Sequence, residues 1–117
     1  MNTQSPISPA AEAGWLAGVP IETTPDVEAM LARLGRTEDV RFSPSNRRMA
    51  VAGYAKNACC LFDVEIVRSP SGPAVRIDGW TELRSDALAE PHGFDFAGED
   101  FLVVGNRGGA VALFHVP

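Results

Sequence analysis

Long apolar runs and clustered positive charge are both missing from this sequence. No apolar run approaches the roughly 20 residues needed to span a bilayer, and residues 1–20 lack the basic start and the apolar centre of a secretory signal. The ten Lys and Arg residues are scattered and the net charge is −5, whereas binding to phosphates needs clustered cations. These absences argue against a membrane and against a nucleic-acid partner, and we expect a soluble, cytoplasmic protein.

Cysteine is scarce as well. The only two cysteines, Cys59 and Cys60, are adjacent in a predicted strand, where successive side chains point to opposite faces. A disulfide between them would need strained geometry. We therefore expect two buried free thiols in a reducing compartment.

Motifs of a self-sufficient catalytic site are also absent. No serine lies in a G-x-S-x-G elbow, and the two histidines, His92 and His115, do not have metalloprotease spacing. The stretch "GNRGG" at 105–109 is typical of a hairpin turn in which glycine supplies a positive φ, and no helix follows it as a dinucleotide-binding loop would require. A binding role is therefore favoured over an enzymatic one.

One helix is present, predicted over residues 23–36. Thr24 can cap it, Pro25 suits its first position and Gly35 can end it in a left-handed turn. Its apolar residues fall at i, i+3, i+4 and i+7: Val27, Met30, Leu31 and Leu34. We expect this stripe to pack on the protein's own domain rather than on a partner. Residues 1–22, rich in Pro, Ala, Ser and Gly, predict a flexible tail.

From residue 37 onward the apolar period changes to two, and the pattern then repeats. Residues 37–84 predict four strands joined by tight turns. Placing "MAVAGYAKNACCLFDV" over "FLVVGNRGGAVALFHV" without a gap pairs Met49 with Phe101 and Gly53 with Gly105, an offset of 52 residues. The same offset joins three later pairs: Leu61 and Leu113, Phe62 and Phe114, Val64 and Val116. In the preceding strand the offset is two residues larger.

A repeat near 50 residues built from four antiparallel strands is typical of a β-propeller blade. The predicted fold is mainly β, with two antiparallel blades at 37–84 and 91–117, the second incomplete, preceded by one short helix. This is about one and three quarter blades, whereas a ring needs at least about four. We therefore expect a piece of a longer repeat protein, or closure on the helix or on another copy. The expected partners are further blades, a protein partner, or another copy bound through sheet edges.

The segment "PHGFDFAGEDFLVVGNRGGAVALFHV" resembles the blade consensus of the gluconolactonase and senescence-marker-protein family of six-bladed propellers, and more loosely bacterial YVTN and WD40-like propellers. In that family a turn residue four positions before an aromatic faces the central channel and binds a divalent cation, and an early blade supplies a Glu. Here His92 stands four residues before Phe96, and Glu38 stands four before Phe42.

The resemblance therefore implies that Glu38 and His92 converge on one channel mouth as ligand-binding residues and candidate metal ligands. Histidine suits zinc better than calcium. On the residues alone, His92 can equally be a turn residue and Glu38 a solvated carboxylate. The leading function is a propeller-type binding or scaffold module without a required cofactor. The alternative is part of a metal-dependent, lactonase-like hydrolase.

Overall fold

The computed structural model of the protein describes residues 18–53 and 57–117, which form one helix and eight strands. The helix α1 spans Pro25–Leu34. The strands are, in chain order, β1 (Ile21–Glu22), β2 (Thr37–Phe42), β3 (Arg48–Gly53), β4 (Ala58–Ser69), β5 (Gly72–Leu83), β6 (Pro91–Ala97), β7 (Phe101–Asn106) and β8 (Val111–His115). The mainly β class is confirmed. Within these residues no helix has the length and apolar character needed to cross a bilayer.

Helix α1 begins and ends where its capping residues predict. The Thr24 hydroxyl accepts a hydrogen bond from the Val27 amide at 3.2 Å, which satisfies a donor that the first helical turn leaves unpaired. Gly35 ends the helix with a φ of 68°, a conformation that favours glycine. Val27, Met30 and Leu34 are buried. The helix therefore packs on its own domain, as predicted.

Strand β1 lies within the predicted tail. Ile21 and Glu22 pair in parallel with Val75 and Arg76 of β5, so the tail prediction is wrong for these two residues. A two-residue strand carries no period of its own and forms only because the edge of β5 is available as a partner. The rest of the predicted tail, residues 1–17, lies outside the described residues.

The strands form two sheets. Sheet 1 has the order β1-β5-β4-β3-β2, and its pairs are antiparallel except for β1 with β5. Sheet 2 has the order β6-β7-β8 and is antiparallel throughout. Four antiparallel strands followed by three match the predicted grouping, and β1 adds a fifth strand to sheet 1. The edge strands β2 and β6 lie side by side.

Two apolar clusters hold the layers together, one on each face of sheet 1. On one face, α1 packs through Val27, Met30 and Leu34 against β3, β4 and β5. On the other face, small residues of sheet 1, including Ala50 and Ala52, meet larger residues of sheet 2. The order of layers is therefore helix, sheet 1, sheet 2; on the helix side, Val40 and Phe42 at the β2 edge of sheet 1 remain exposed.

The two cysteines follow this layering. Cys59 belongs to the cluster between the sheets, and Cys60 belongs to the cluster under the helix. Both are fully buried free thiols, as predicted. Burial raises the pKa of each thiol from 9.0 to about 12, because the apolar surroundings disfavour the thiolate.

The two sheets correspond strand for strand, but the predicted alignment of β3 with β7 is not the one that the structure has. The helix-side face of sheet 1 carries the cross-strand neighbours Phe42, Met49 and Phe62. The face of sheet 2 that is turned to sheet 1 carries the neighbours Phe96, Leu102 and Phe114. Met49 therefore corresponds to Leu102 and not to Phe101, and the gapless pairing is wrong there by one residue. The cause is that each of the two turns of sheet 2 is one residue shorter than the corresponding turn of sheet 1.

Candidate functional site

The structure brings the two predicted site residues into contact. Glu38 lies in β2 and His92 in β6, and Nδ1 of His92 is 3.0 Å from Oε1 of Glu38. The Glu38 side chain is only 11% exposed, whereas the imidazole is 54% exposed. The second carboxylate oxygen, Oε2, is 2.8 Å from Nε of Arg36. The carboxylate is thus held between an imidazole and a guanidinium at the boundary of the two sheets.

Matching β-bulges place these two side chains. In β2 the pairing with β3 passes from Thr37 directly to Asp39, so Glu38 is the additional residue. In β6 the pairing with β7 passes from Pro91 directly to Gly93, so His92 is the additional residue. An additional residue bends the strand and redirects its side chain. Glu38 and His92 therefore occupy equivalent positions of the two sheets and point to one boundary.

Asp39 adds a hydrogen bond across the boundary of the two sheets, a role that its sequence context does not predict. Its Oδ2 accepts a hydrogen bond from the Phe94 amide of β6 at 3.2 Å, so one carboxylate joins the edge strands of the two sheets. The same oxygen is 3.3 Å from Nε of Arg41, and Oδ1 accepts from the Val40 amide. The only sequence signal was an acidic pair at the start of a strand, which is ordinary on a surface.

The chemistry open to this group is limited by what already surrounds Glu38. Both of its oxygens are engaged, so a cation bound there would have to compete with Arg36. No group of three or more His, Cys, Asp or Glu side chains that could hold a metal ion occurs within residues 18–53 and 57–117. The contact places Nδ1 of His92 beside a carboxylate, an arrangement that in other proteins orients a histidine for binding or proton transfer. The predicted metal site stays a prediction.

Polar side chains in the turns also join the sheets. The Glu99 carboxylate, in the turn after β6, accepts from both the amide (2.6 Å) and the hydroxyl (2.9 Å) of Ser45, in the turn after β2. At the other end of the sheets, Asn57 donates to the Leu88 carbonyl and accepts from the Glu90 amide. Glu99 is exposed, and its carboxylate joins the equivalent turns of the two sheets like a clamp.

A surface depression of about 560 Å³ lies at the opposite end of β2 from Glu38. It is open to solvent and lies between the turn after β2 and the hairpin of β4 and β5. Its lining includes Arg47 and Arg68 but also Glu65 and Asp78. The charges balance, so this depression does not favour an anionic or a cationic ligand.

Among the residues that the structure describes, the two most exposed large apolar side chains, Val111 and Leu113, both belong to sheet 2. We call the side of sheet 2 that faces away from sheet 1 the outer face. Its cross-strand neighbours form three rows, which are Ala97, Phe101 and His115; Asp95, Val103 and Leu113; and Gly93, Gly105 and Val111. Leu113 is 64% exposed, Val111 66% and Phe101 40%. His115 is exposed, and the centroid of its ring lies 5.1 Å from that of Phe101.

No protein-family model, no curated protein and no solved structure matches this chain.

Proposed function

We propose that the protein is a binding or scaffold module of propeller type, whose partner docks on the outer face of sheet 2. The observation that carries this proposal is the exposed apolar side chains of that face, chiefly Phe101, Val111 and Leu113. Apolar side chains that cluster on one exposed face are typical of interaction sites in soluble proteins. Scattered single apolar residues would not carry the same weight.

The layering of the sheets supports the same proposal. The helix-side face of sheet 1 corresponds to the face that sheet 2 turns to sheet 1. The helix α1 thus lies where a preceding blade would lie in a propeller. The face of sheet 1 that sheet 2 covers corresponds to the outer face of sheet 2, which is where a following blade would pack. A propeller-type relation between the sheets therefore makes the outer face the natural place for the next layer.

The resemblance to the gluconolactonase and WD40-like propellers fits this arrangement. In such a fold, β2 and β6 would be the innermost strands of neighbouring blades, and equivalent positions of these strands would meet near the axis. The contact between Glu38 and His92 is what this relation requires. A binding module does not need a complete catalytic set, and the fold alone does not imply one.

The test is covalent capture at the proposed face in living cells. A photo-reactive benzophenone side chain in place of Leu113 should give an adduct of one defined mass, because a partner docked there is in van der Waals contact. The matched control is the same side chain in place of Ile21, which is 63% exposed but lies on β1. Equal adducts at both positions, or none at position 113, would contradict the proposal.

The contact between Glu38 and His92 favours a second candidate function, a metal-dependent hydrolase of the lactonase kind. In this case the pair would bind a divalent cation, preferably zinc, together with ligands from elsewhere. Zinc titrated into the protein should bind weakly, and His92→Ala should abolish the binding. The control is His115→Ala, which removes the other histidine from the far edge of sheet 2. Equal affinities in the wild type and His92→Ala would reject this function.

A further inference from the structure

The outer face of sheet 2 has a shape that is complementary to itself. One row carries the bulky Phe101 on the central strand β7, and the row two steps along carries Gly105 on the same strand, beside Gly93. A Cβ built on Gly105 would meet only the Gly93 carbonyl oxygen within 4 Å, at 3.5 Å. The space above Gly105 is therefore open, while Phe101 projects from the same face.

Two copies can pack outer face to outer face about a two-fold axis that lies in the plane between the facing sheets, perpendicular to the strands, and passes by Val103. This arrangement makes use of the shape. It reverses the order of the rows, so Phe101 of each copy meets Gly105 of the other. Leu113 and Val103, in the middle row, meet their own counterparts. Pairing large residues with small ones across two facing sheets is how sheets interdigitate at a spacing of about 10 Å. Ala50 and Ala52 show the same principle where they receive sheet 2.

The order of the layers also limits how copies of the chain can stack on one another. Continued stacking in one direction would need the helix-side face of sheet 1 of the next copy, but α1 occupies the middle of that face and leaves its β2 edge, with Val40 and Phe42, exposed. The helix therefore stands in the way of head-to-tail stacking of one sheet on another. An interface formed by the same face of both copies is two-fold symmetric, so it gives a closed dimer.

We propose that a second copy of this chain docks on the outer face, giving a two-fold dimer in which Phe101 of each subunit lies over Gly105 of the other. This inference rests on the proposed binding function and names its partner. A face of three short strands is small for an interface, so the dimer should be weak, with a dissociation constant on the order of micromolar. The two Asp95 side chains meet at one edge of this arrangement and repel each other, which weakens the dimer further.

Sedimentation velocity of the purified protein between about 1 and 300 µM tests the dimer. The wild type should pass from monomer to dimer in this range. Leu113→Glu should weaken association at least about 100-fold, because it sets two like charges directly against each other in the middle row. Asp95→Asn should tighten it by a few fold. Ile21→Glu, at matched exposure, should leave it unchanged.

A second variant tests the packing itself. Gly105→Val has room within its own subunit but fills the space that receives Phe101, so it should also weaken the dimer about tenfold or more. Pairing through the β8 edge would not respond to it. A monomer at every concentration, or a dimer that is indifferent to Leu113→Glu or Gly105→Val, overturns the inference. If the protein is monomeric while position 113 captures a different protein in cells, the binding function stands and the dimer fails.

Discussion

Gly53 of sheet 1 lies close against the backbone at the end of α1, and its replacement by alanine tests the packing of the helix on the sheet. A Cβ at this position would lie 2.4 Å from the Leu34 carbonyl oxygen and 3.1 Å from the Leu34 carbonyl carbon and Cα. Ordinary contacts between such atoms are about 3.5 Å. The methyl group therefore overlaps the helix backbone by roughly 1 Å, and backbone cannot rotate away as a side-chain end can.

The expected cost follows from two opposing effects. Moving the end of α1 by such a distance disturbs the packing of Leu34, which is fully buried, and overpacking of this kind costs about 1–3 kcal/mol. Replacing glycine in a strand otherwise stabilises by about 0.5–1 kcal/mol, because the unfolded chain loses freedom. Because the overlap is with backbone, the upper end of the overpacking range applies, and we expect Gly53→Ala to lower the free energy of unfolding by about 2 kcal/mol.

Urea unfolding followed by circular dichroism measures this loss. For a domain of this size the midpoint should fall by about 1 M. Gly79→Ala is the control, because the closest atom to its added Cβ is Oδ2 of Asp63 at 2.7 Å. This is the end of a side chain that is 60% exposed and can turn away by giving up a 3.7 Å contact with Arg48. A Gly53→Ala midpoint equal to that of the wild type, or an equal loss in Gly79→Ala, would refute the close approach of helix and sheet.

Two further predictions concern the clamp and the thiols. Glu99→Ala should cost about 1 kcal/mol of unfolding free energy, because the Ser45 amide and hydroxyl lose their acceptor, whereas Asp100→Ala should change little, since its backbone carbonyl and not its side chain binds the Val116 amide. Cys59 and Cys60 should resist iodoacetamide at pH 8 until the protein unfolds. Burial raises the folded pKa of both thiols from 9.0 to about 12, so the thiols of the unfolded chain ionise first as the pH rises. The free energy of unfolding should therefore fall above pH 9 by roughly 1 kcal/mol per pH unit for each thiol. In a variant with both cysteines changed to alanine, urea unfolding at a series of pH values should show a smaller fall of this free energy above pH 9.

Local signals in the sequence were enough to place most elements. Thr24 and Gly35 set the helix ends through hydrogen bonds and backbone angles within a few residues of themselves. The period of two gave the strands and their grouping for a similar reason, since alternation is a property of each strand alone. Counting four residues back from Phe42 and Phe96 also found equivalent positions, because both strands carry the same bulge.

What the sequence could not give depends on contacts between distant segments. Strand β1 exists only through the edge of β5. The register of the middle strand was predicted one residue out, because a gapless alignment cannot detect that two turns are each one residue shorter. Asp39 and Glu99 are acidic surface residues in any local window. Their roles appear only when the second sheet is beside the first.

The orientation of sheet 2 is the central claim, because it decides whether its outer face is apolar. Nuclear Overhauser contacts between methyl groups in the protein below its association range test this orientation directly. We predict contacts from Leu102 and Val104 of β7 to Ala50 and Ala52 of β3, which share the cluster between the sheets. Contacts from the Phe101 ring to β3, with the Leu102 methyl groups free of sheet 1, would contradict it.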